Sequence, residues 1–490
     1  MLTIEEIKTF IEQLESSEKK KLAKVGVRYY EGDHDIKDFR IFFFNAEGKL
    51  EEDKTKSNFR IAHPFFQELV DQAVQYMLSG KGGFVKSDDP KLQKELDVYF
   101  NENENFIAEL FEILTGTMVK GLEYAYAFKD DDDRTSFRCA DSLGVIEVEA
   151  RFASDKKNHI LYRYVDRIDK DGKKIVKIQD WDDQQTAYYV QEADGAIKKD
   201  KEEKLNPRPH IVFKTTNDET LQYDSYGTIP FFSLENNKKQ QSGLKTIKDI
   251  IDDYDLMNAG LTNNIQDTNE ALYVVKGFQG DNLDELMANV KAKKHIGVDE
   301  EGGVEVHTID IPYEARKIKM EIDEKNIFRF GFGVNTESMK DTSATTSIAI
   351  KSAYALLDLK VNKLEIRLKQ FMRKLLKVIL KEINDTNKTD YTQADVYFNF
   401  EREIITNEQE HAQIELTEAQ RKQTEINTLL NLAAHLDNDT LMELVFEQLD
   451  LNYDDYKDKL PKPEEHDPYA AQTVLDGVQT EADPGGDVIE

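Results

Sequence analysis

Five aspartates fall within a short stretch of this chain: Asp249, Asp252, Asp253, Asp255 and Asp267. Clustered carboxylates are what two-metal phosphodiester chemistry needs, so a metal-dependent nuclease using Asp249–Asp255 is one reading. The same stretch carries Ile247, Ile250, Ile251, Tyr254, Met257 and Leu261 at helical spacing. On a helix, Asp252 and Asp253 project about 100° apart. No His or Glu stands nearby in the sequence to complete a ligand set. The expectation is therefore a solvated helix face. The run Asp130–Asp133 lacks the alternating spacing and the glycine of a calcium loop, and reads as a solvated turn.

Other chemistry is hard to find. There is no G-x-x-x-x-G-K-S/T, G-x-S-x-G, H-E-x-x-H or G-x-G-x-x-G sequence. Gly80-Lys81-Gly82-Gly83 follows a helical pattern and reads as a helix stop. The nine histidines show no metal spacing, and the single thiol, Cys139, has no activating neighbour in sequence. The chain is expected to be no enzyme and to use no cofactor and no metal. A carboxylate site assembled in space stays open.

Cations concentrate late in the chain. The segment from Ser347 to about Ile383 carries Lys351, Lys360, Lys363, Arg367, Lys369, Arg373, Lys374 and Lys377 against Asp358, Glu365 and Glu382. This is either the solvent face of a scaffold helix or a face that meets something acidic. Before it lies Gly331–Thr346, rich in Gly, Ser, Thr and Asn and without hydrophobic periodicity. A loop of this length between two strong helices is usually functional or disordered. The helix ahead of it carries Arg316, Lys317, Lys319 and Lys325 beside Glu321, Asp323 and Glu324.

Those cations belong to an acidic protein. The 490 residues hold 65 Lys and Arg against 96 Asp and Glu, a net charge of −31. Residues 1–340 carry −17, residues 341–380 carry +5 and residues 381–490 carry −19. Hydrophobic residues make up 39%, enough to build large cores in roughly three domains. One cysteine excludes a disulfide scaffold. No run approaches the ~18 apolar residues of a membrane span, so no membrane partner is expected. The start MLTIEEIKTF has acids where a secretion signal is basic, which points to folding in a cytoplasm. The bulk charge argues against general nucleic-acid binding.

Periodicity places these residues on elements. Residues 3–23 read as one amphipathic helix with a Thr3–Glu6 capping box. Further helices are expected over Asn58–Ser79, Phe106–Val119, Ser242–Asn269 and Tyr313–Phe330. From Tyr124 to Phe213 a period of two predicts an antiparallel sheet, with turns at Asp171-Gly172, Asp194-Gly195 and Asn206-Pro207. Residues 271–311 read as a βαββ unit. A strand at Val396–Phe400 leads to helices over Asn407–Arg421, Thr424–Ala434 and Asp439–Leu449. Residues 461–490 have the composition of a disordered acidic tail. The fold class is α+β, multidomain.

The order of these parts resembles the portal proteins of tailed bacteriophages, of the siphophage type. The resemblance rests on Tyr29-Tyr30-Glu31-Gly32, on Asn58–Gly80 ending in Tyr76-Met77-Leu78-Ser79-Gly80, on Gly227-x-x-Pro230-Phe231 leading to Leu244–Asp255, and on Ser347–Lys351. Ile348 departs from the glycine that often follows the serine in the family. The resemblance implies a portal fold: a helix at 1–24, a wing with antiparallel strands at 25–241, stem helices at 242–270 and 312–332, and a small α/β clip at 271–311. It further implies a tunnel loop at 333–346, a long wing helix at 347–383 and a helical crown at 384–460. It implies a ring, usually of twelve, at one capsid vertex of the virion, assembled in the host cytoplasm. Double-stranded DNA would pass through it non-specifically. Implied partners are the terminase large subunit, major capsid and scaffold proteins, and a head-completion or adaptor protein. Asn335, Thr336, Glu337, Ser338, Met339, Lys340, Asp341 and Thr342 would face the channel, with Arg316, Lys317, Lys319 and Lys325 as stem residues near DNA. Lys340 would offer one phosphate contact per subunit, and Glu337 and Asp341 would keep it from gripping. Twelve copies would carry about −370, which disfavours adhesion to a duplex bearing one charge per ~1.7 Å. A scaffold or adaptor that never meets DNA is a third reading.

Overall fold

The computed structural model describes residues 1–45, 47–54, 56–80, 82–192, 194–214, 221–267, 272–276, 303–307, 313–335, 347–402, 408–431 and 436–448, with 453 and 457. The chain divides into two compact units, Met1–Ile405 and Thr406–Glu490.

The N-terminal stretch forms two helices where one was expected, α1 (Ile4–Ser16) and α2 (Glu18–Tyr30). Ser17 divides them. It is extended, its N–H donates to the Leu14 carbonyl and its hydroxyl accepts from the Lys20 N–H, so one serine ends the first helix and caps the second. The Thr3–Glu6 capping box is present as expected. After α2 comes a short ribbon, β1 (Phe42–Phe44) paired antiparallel with β2 (Leu50–Glu52).

The helix α3 spans Phe65–Met77, shorter than the expected Asn58–Ser79. Pro64 disfavours helical geometry in the residue before it, and residues 58–63 are in no helix or strand. The strand β3 (Val85–Lys86) precedes α4 (Pro90–Leu96) and α5 (Glu104–Lys120). Asn103 caps α5 by accepting the Phe106 N–H, and Gly121 ends it at φ 92°. A Cβ on Gly121 would lie 2.5 Å from the Gln240 carbonyl oxygen, so both conformation and space require glycine. Leu110, Ile113 and Leu114 of α5 are fully buried against Leu69, Val70 and Val74 of α3.

The sheet region appears where the period of two placed it. The strands β4 (Leu122–Lys129) and β5 (Thr135–Ala140) form a hairpin. The Asp130 carboxylate accepts the N–H groups of Asp132 and Arg134 and so builds its turn. A larger antiparallel sheet follows: β6 (Val145–Val148), β7 (His159–Ile168), β8 (Lys174–Trp181), β9 (Gln185–Gln191) and β10 (Ile197–Lys199) run in consecutive order. To it are added β11 (Arg208–Pro209) on β9, and a separate pair β12 (Ile211–Lys214) and β13 (Leu221–Asp224). The strand β14 (Phe231–Glu235) returns to β4. Ile7 and Ile11 of α1 cover Leu161, Ile178 and Tyr189 of the larger sheet.

A 3₁₀ turn at Gly243–Thr246, capped by the Ser242 hydroxyl, leads into α6 (Lys248–Asp267). The antiparallel strands β15 (Leu272–Lys276) and β16 (Gly303–His307) follow. The helix and the further strand expected between them lie outside the described residues. The chain returns through α7 (Tyr313–Gly331), and α8 (Ser347–Asn387) contributes Leu364, Leu368, Phe371, Leu375 and Ile379 to the main core. The strand β17 (Tyr397–Phe398) pairs with β3.

In the second unit, α9 (Glu408–Asn431) is one helix where two were expected. Lys422 and Gln423 between the two expected pieces are good helix formers, so nothing breaks it. Asp437 accepts the Thr440 N–H and caps α10 (Asn438–Gln448). The expected acidic tail, 461–490, lies outside the described residues.

Candidate nucleic-acid interface

Of the α6 aspartates, Asp249 lies on the solvated face that spacing suggested, but Asp255 does not. Asp255 is fully buried. Its carboxylate accepts from Nδ1 of His34 at 2.7 Å, and from Nδ1 and the backbone N–H of His63 at 2.7 and 3.0 Å. These partners stand 221 and 192 residues away in sequence, so no histidine near Asp255 in the chain marks them. The other ring nitrogen of His34 faces the Tyr29 carbonyl at 3.2 Å, and the ring stacks on Tyr29 at 4.4 Å. Burial alone would raise the Asp255 carboxyl; the hydrogen bonds from His34 and His63 outweigh it and hold the group below the usual carboxylate range.

The neighbouring carboxylates have other partners. Asp252 accepts from the Tyr29 hydroxyl and from Lys248. Asp253 and Asp323 share the ammonium of Lys319, which joins α6 to α7. Asp267 accepts the Ser57 N–H at 3.1 Å, and Asn263 accepts the Phe59 N–H at 2.6 Å. Residues 57–63 thus form a strap along α6, held through the backbone N–H groups of Ser57, Phe59 and His63 and the His63 ring. Among the described residues no group of three or more His, Cys, Asp or Glu is arranged to hold a metal ion.

The four candidate cations of α7 separate into two pairs. Lys319 is engaged by Asp253 and Asp323; burial would lower its pKa, but the two carboxylates raise it overall. Arg316 lies over Gly260 of α6, where an added Cβ would come within 2.9 Å of its guanidinium. Lys319 thus pairs with Asp323 on its own helix, as expected for some of these cations, and also with Asp253 across the helix pair. These contacts set α6 and α7 antiparallel, because Asp253 meets Lys319 while Gly260 meets Arg316. Lys317 and Lys325 are exposed on the face of α7 turned away from α6.

The C-terminal end of α7 is clamped tightly. Gln72 of α3 accepts the Val334 N–H and donates to the Val334 carbonyl, both at 3.0 Å. Lys360 of α8 donates to the carbonyls of Gly331 and Leu69 at 3.0 and 3.4 Å. Added Cβ atoms on Gly331 and Gly333 would fall 2.5 and 2.1 Å from the Leu69 methyls, so only glycine allows this approach. Asn335 donates to Glu324 at 2.8 Å, which ties the one described residue of the candidate loop set back onto α7. Thr336, Glu337, Ser338, Met339, Lys340, Asp341 and Thr342 lie outside the described residues.

The basic stripe of α8 is largely spent inside the chain. Arg367 pairs with Glu235, Lys369 with Glu365, and Lys374 and Arg373 donate to the carbonyls of Ser233 and Gln393. Burial pushes the Lys360 ammonium down to about 8. His34, His63 and Gln72 carried no signal in the sequence; Lys360 was visible only as one lysine of a stripe.

The described residues thus form helices and antiparallel sheets around an antiparallel helix pair whose intervening segment carries a small strand pair. The family model described as "Phage portal protein, SPP1 Gp6-like" matches residues 11–452, and the chain belongs to this family. It is a structural component of the phage virion, at the capsid vertex. The portal protein of Bacillus phage SPP1 is 27% identical over 394 residues, covering 79% of this chain and 75% of that one. The portal protein of Clostridium phage phiCD119 is 32% identical over 200 residues, 40% of this chain and 43% of that one. A solved structure titled "Neck of native GTA particle computed with C12 symmetry" is similar at 10% identity with a TM-score of 0.39, covering 78% of this chain and 89% of the other.

Proposed function

We propose that copies of this chain close into a ring, most simply of twelve, through which double-stranded DNA passes during packaging and ejection. Residues 242–270 and 312–332 are the stem, 271–311 the clip, 333–346 the tunnel loop and 384–460 the crown. Residues 25–241 and the helix at 347–383 make the wing, with 1–24 as an N-terminal helix and 461–490 as a tail. The clip is the docking platform for the terminase large subunit and later for a head-completion or adaptor protein. The wing and crown meet capsid and scaffold proteins. Assembly takes place in the host cytoplasm.

The observation that carries this reading is the charge economy of the α6–α7 pair. Lys319 is neutralised by Asp253 and Asp323, and Arg316 is turned onto Gly260, so of the four α7 cations only Lys317 and Lys325 stay exposed without such a contact. A surface with few available phosphate contacts in an acidic ring holds DNA weakly and lets it slide. The same partners argue against a nuclease, since Asp252, Asp253 and Asp255 are each committed to a side chain of the protein.

Light scattering and negative-stain images test the ring. Twelve copies of 56.6 kDa give a particle of roughly 600–700 kDa. A monomer that cleaves DNA with Mg²⁺ would overturn the reading. Deleting residues 335–345 is expected to leave rings intact and to block packaging or DNA retention; normal packaging would remove the role given to that loop.

A further inference from the structure

Two exposed surfaces of this chain complement each other and lie too far apart to meet within one copy. The first is the β1–β2 ribbon. All six strand residues are exposed, in the register Phe42 with Glu52, Phe43 with Glu51 and Phe44 with Leu50. Phe43 projects from the opposite face to Phe42 and Phe44, so both faces carry aromatic rings. Phe44 is 73% exposed. A two-stranded ribbon that packs neither face is marginal in water. Next to it the strap turns Phe59 and Ile61 outward. The ribbon carries Glu47, Glu51 and Glu52 against Lys49 and Arg40, the last 3.6 Å from Glu52, which leaves Glu47 and Glu51 as its outlying charges.

The second surface lies where the end of α7 meets α8. Leu356, Leu359 and Ile366 form one exposed stripe of α8, with Lys363 between them, and Ile366 is 63% exposed. Phe330 of α7 adds a further exposed ring. The two elements adjoin, because Lys360 donates to the Gly331 carbonyl and Lys363 sits 5.8 Å from the centre of the Phe332 ring. The charges here are positive, from Lys363 and from Arg329, which sits 5.8 Å from the Phe330 ring centre.

Within one copy these surfaces belong to opposite ends of the α6–α7 pair. The strap fixes the ribbon near Asp267, while Phe330 is at the far end of antiparallel α7. At 1.5 Å per residue the separation along the pair is roughly 20 Å or more. Exposed aromatic and aliphatic patches of this kind mark interaction sites. Their opposite charges select a partner of the same chain.

We propose that the β1–β2 ribbon of each copy docks on the Leu356–Leu359–Ile366 stripe and Phe330 of the next copy. Because the two surfaces differ, the contact is head-to-tail, the kind that closes into a ring when its rotation permits. This rests on the ring reading above and names the surfaces that build it. It also requires the α6–α7 pair to be inclined to the ring axis, so that the two ends come to one height in neighbouring copies.

The test uses the full chain with two variants, Phe42→Ser with Phe44→Ser, and Leu359→Asp. Light scattering reads the oligomer, and thermal melting reads the fold. Each variant is expected to need at least roughly tenfold more protein to assemble, with unchanged melting, since the residues changed are exposed in the single copy. Mixed one to one, the variants are expected to give a discrete two-copy complex, because each retains the half that the other lacks. As a second route, Glu51→Lys weakens assembly and Lys363→Glu in the same chain restores it. Wild-type rings with both variants assembling like the wild type would overturn this interface and leave the ring reading standing. A wild type that never assembles would overturn both.

Discussion

The two helical regions of the first unit are held by different means. The α3–α5–α8 core is apolar, with Leu110, Ile113, Leu368 and Phe371 buried among other hydrocarbons. The α6–α7 pair shares this apolar packing through Ile251, Ile327 and Phe328 but adds polar ties: Lys319 between Asp253 and Asp323, buried Asp255 on two histidines, and a strap of backbone donors on Asp267 and Asn263. Apolar packing is large in energy and tolerant in direction. Hydrogen-bonded carboxylates are directional, and costly when one partner is lost. The first region therefore supplies stability, and the second fixes orientation in the part proposed to face DNA.

This contrast can be tested at four levels. The largest effect is expected from Leu110→Ala, which empties a fully buried site and should cost about 3–5 kcal/mol in chemical denaturation. A value under about 1 kcal/mol would mean that the core collapses readily around the gap. Next is Asp255→Asn, expected to cost about 3 kcal/mol because it leaves His34 and His63 facing a neutral group. Its signature is in pH. The native Asp255 pKa lies below its ordinary value, so its contribution is complete above about pH 5 and is lost as pH falls through the native value. The variant should lack that part of the acid limb; an unchanged limb would show that Asp255 does not anchor the strap.

A smaller cost, about 1–3 kcal/mol, is expected for Gly333→Ala, whose methyl would collide with Leu69. Leu69→Ala in the same chain should recover part of it, and strict additivity would refute the collision. Smallest at neutral pH is Lys360→Met. Its ammonium titrates near 8 when folded and near 10.4 when unfolded, so the unfolded chain binds more protons between those values. Wild-type stability should rise from about pH 8 to 10, and the variant should lose that rise.

The sequence reading was accurate where one segment carried its own signal. The Thr3–Glu6 box, the helix expected over Phe106–Val119 and the Asp171-Gly172 and Asp194-Gly195 turns all appear, with Gly172 and Gly195 at positive φ. It failed where a residue's partner was distant. Nothing near Asp255 announces His34 or His63. Lys360 falls in a stripe of lysines, yet its ammonium is taken up by two backbone carbonyls. Ser17 was passed over inside an apparently continuous helix, because a serine that serves two helix ends leaves the apolar periodicity nearly unbroken.

The strap along α6 has a consequence for how this protein can change. Ser57, Phe59 and His63 are held by their N–H groups, and every residue except proline offers an N–H. The acceptors on α6 are different: Asp255, Asn263 and Asp267 must keep short side chains ending in oxygen. Mutational freedom is thus divided unequally across one contact. The strap can exchange its outward side chains, Phe59 and Ile61 among them, to suit a new neighbour without moving relative to α6. A phage lineage can in this way retune what its strap touches while the helix behind it stays fixed.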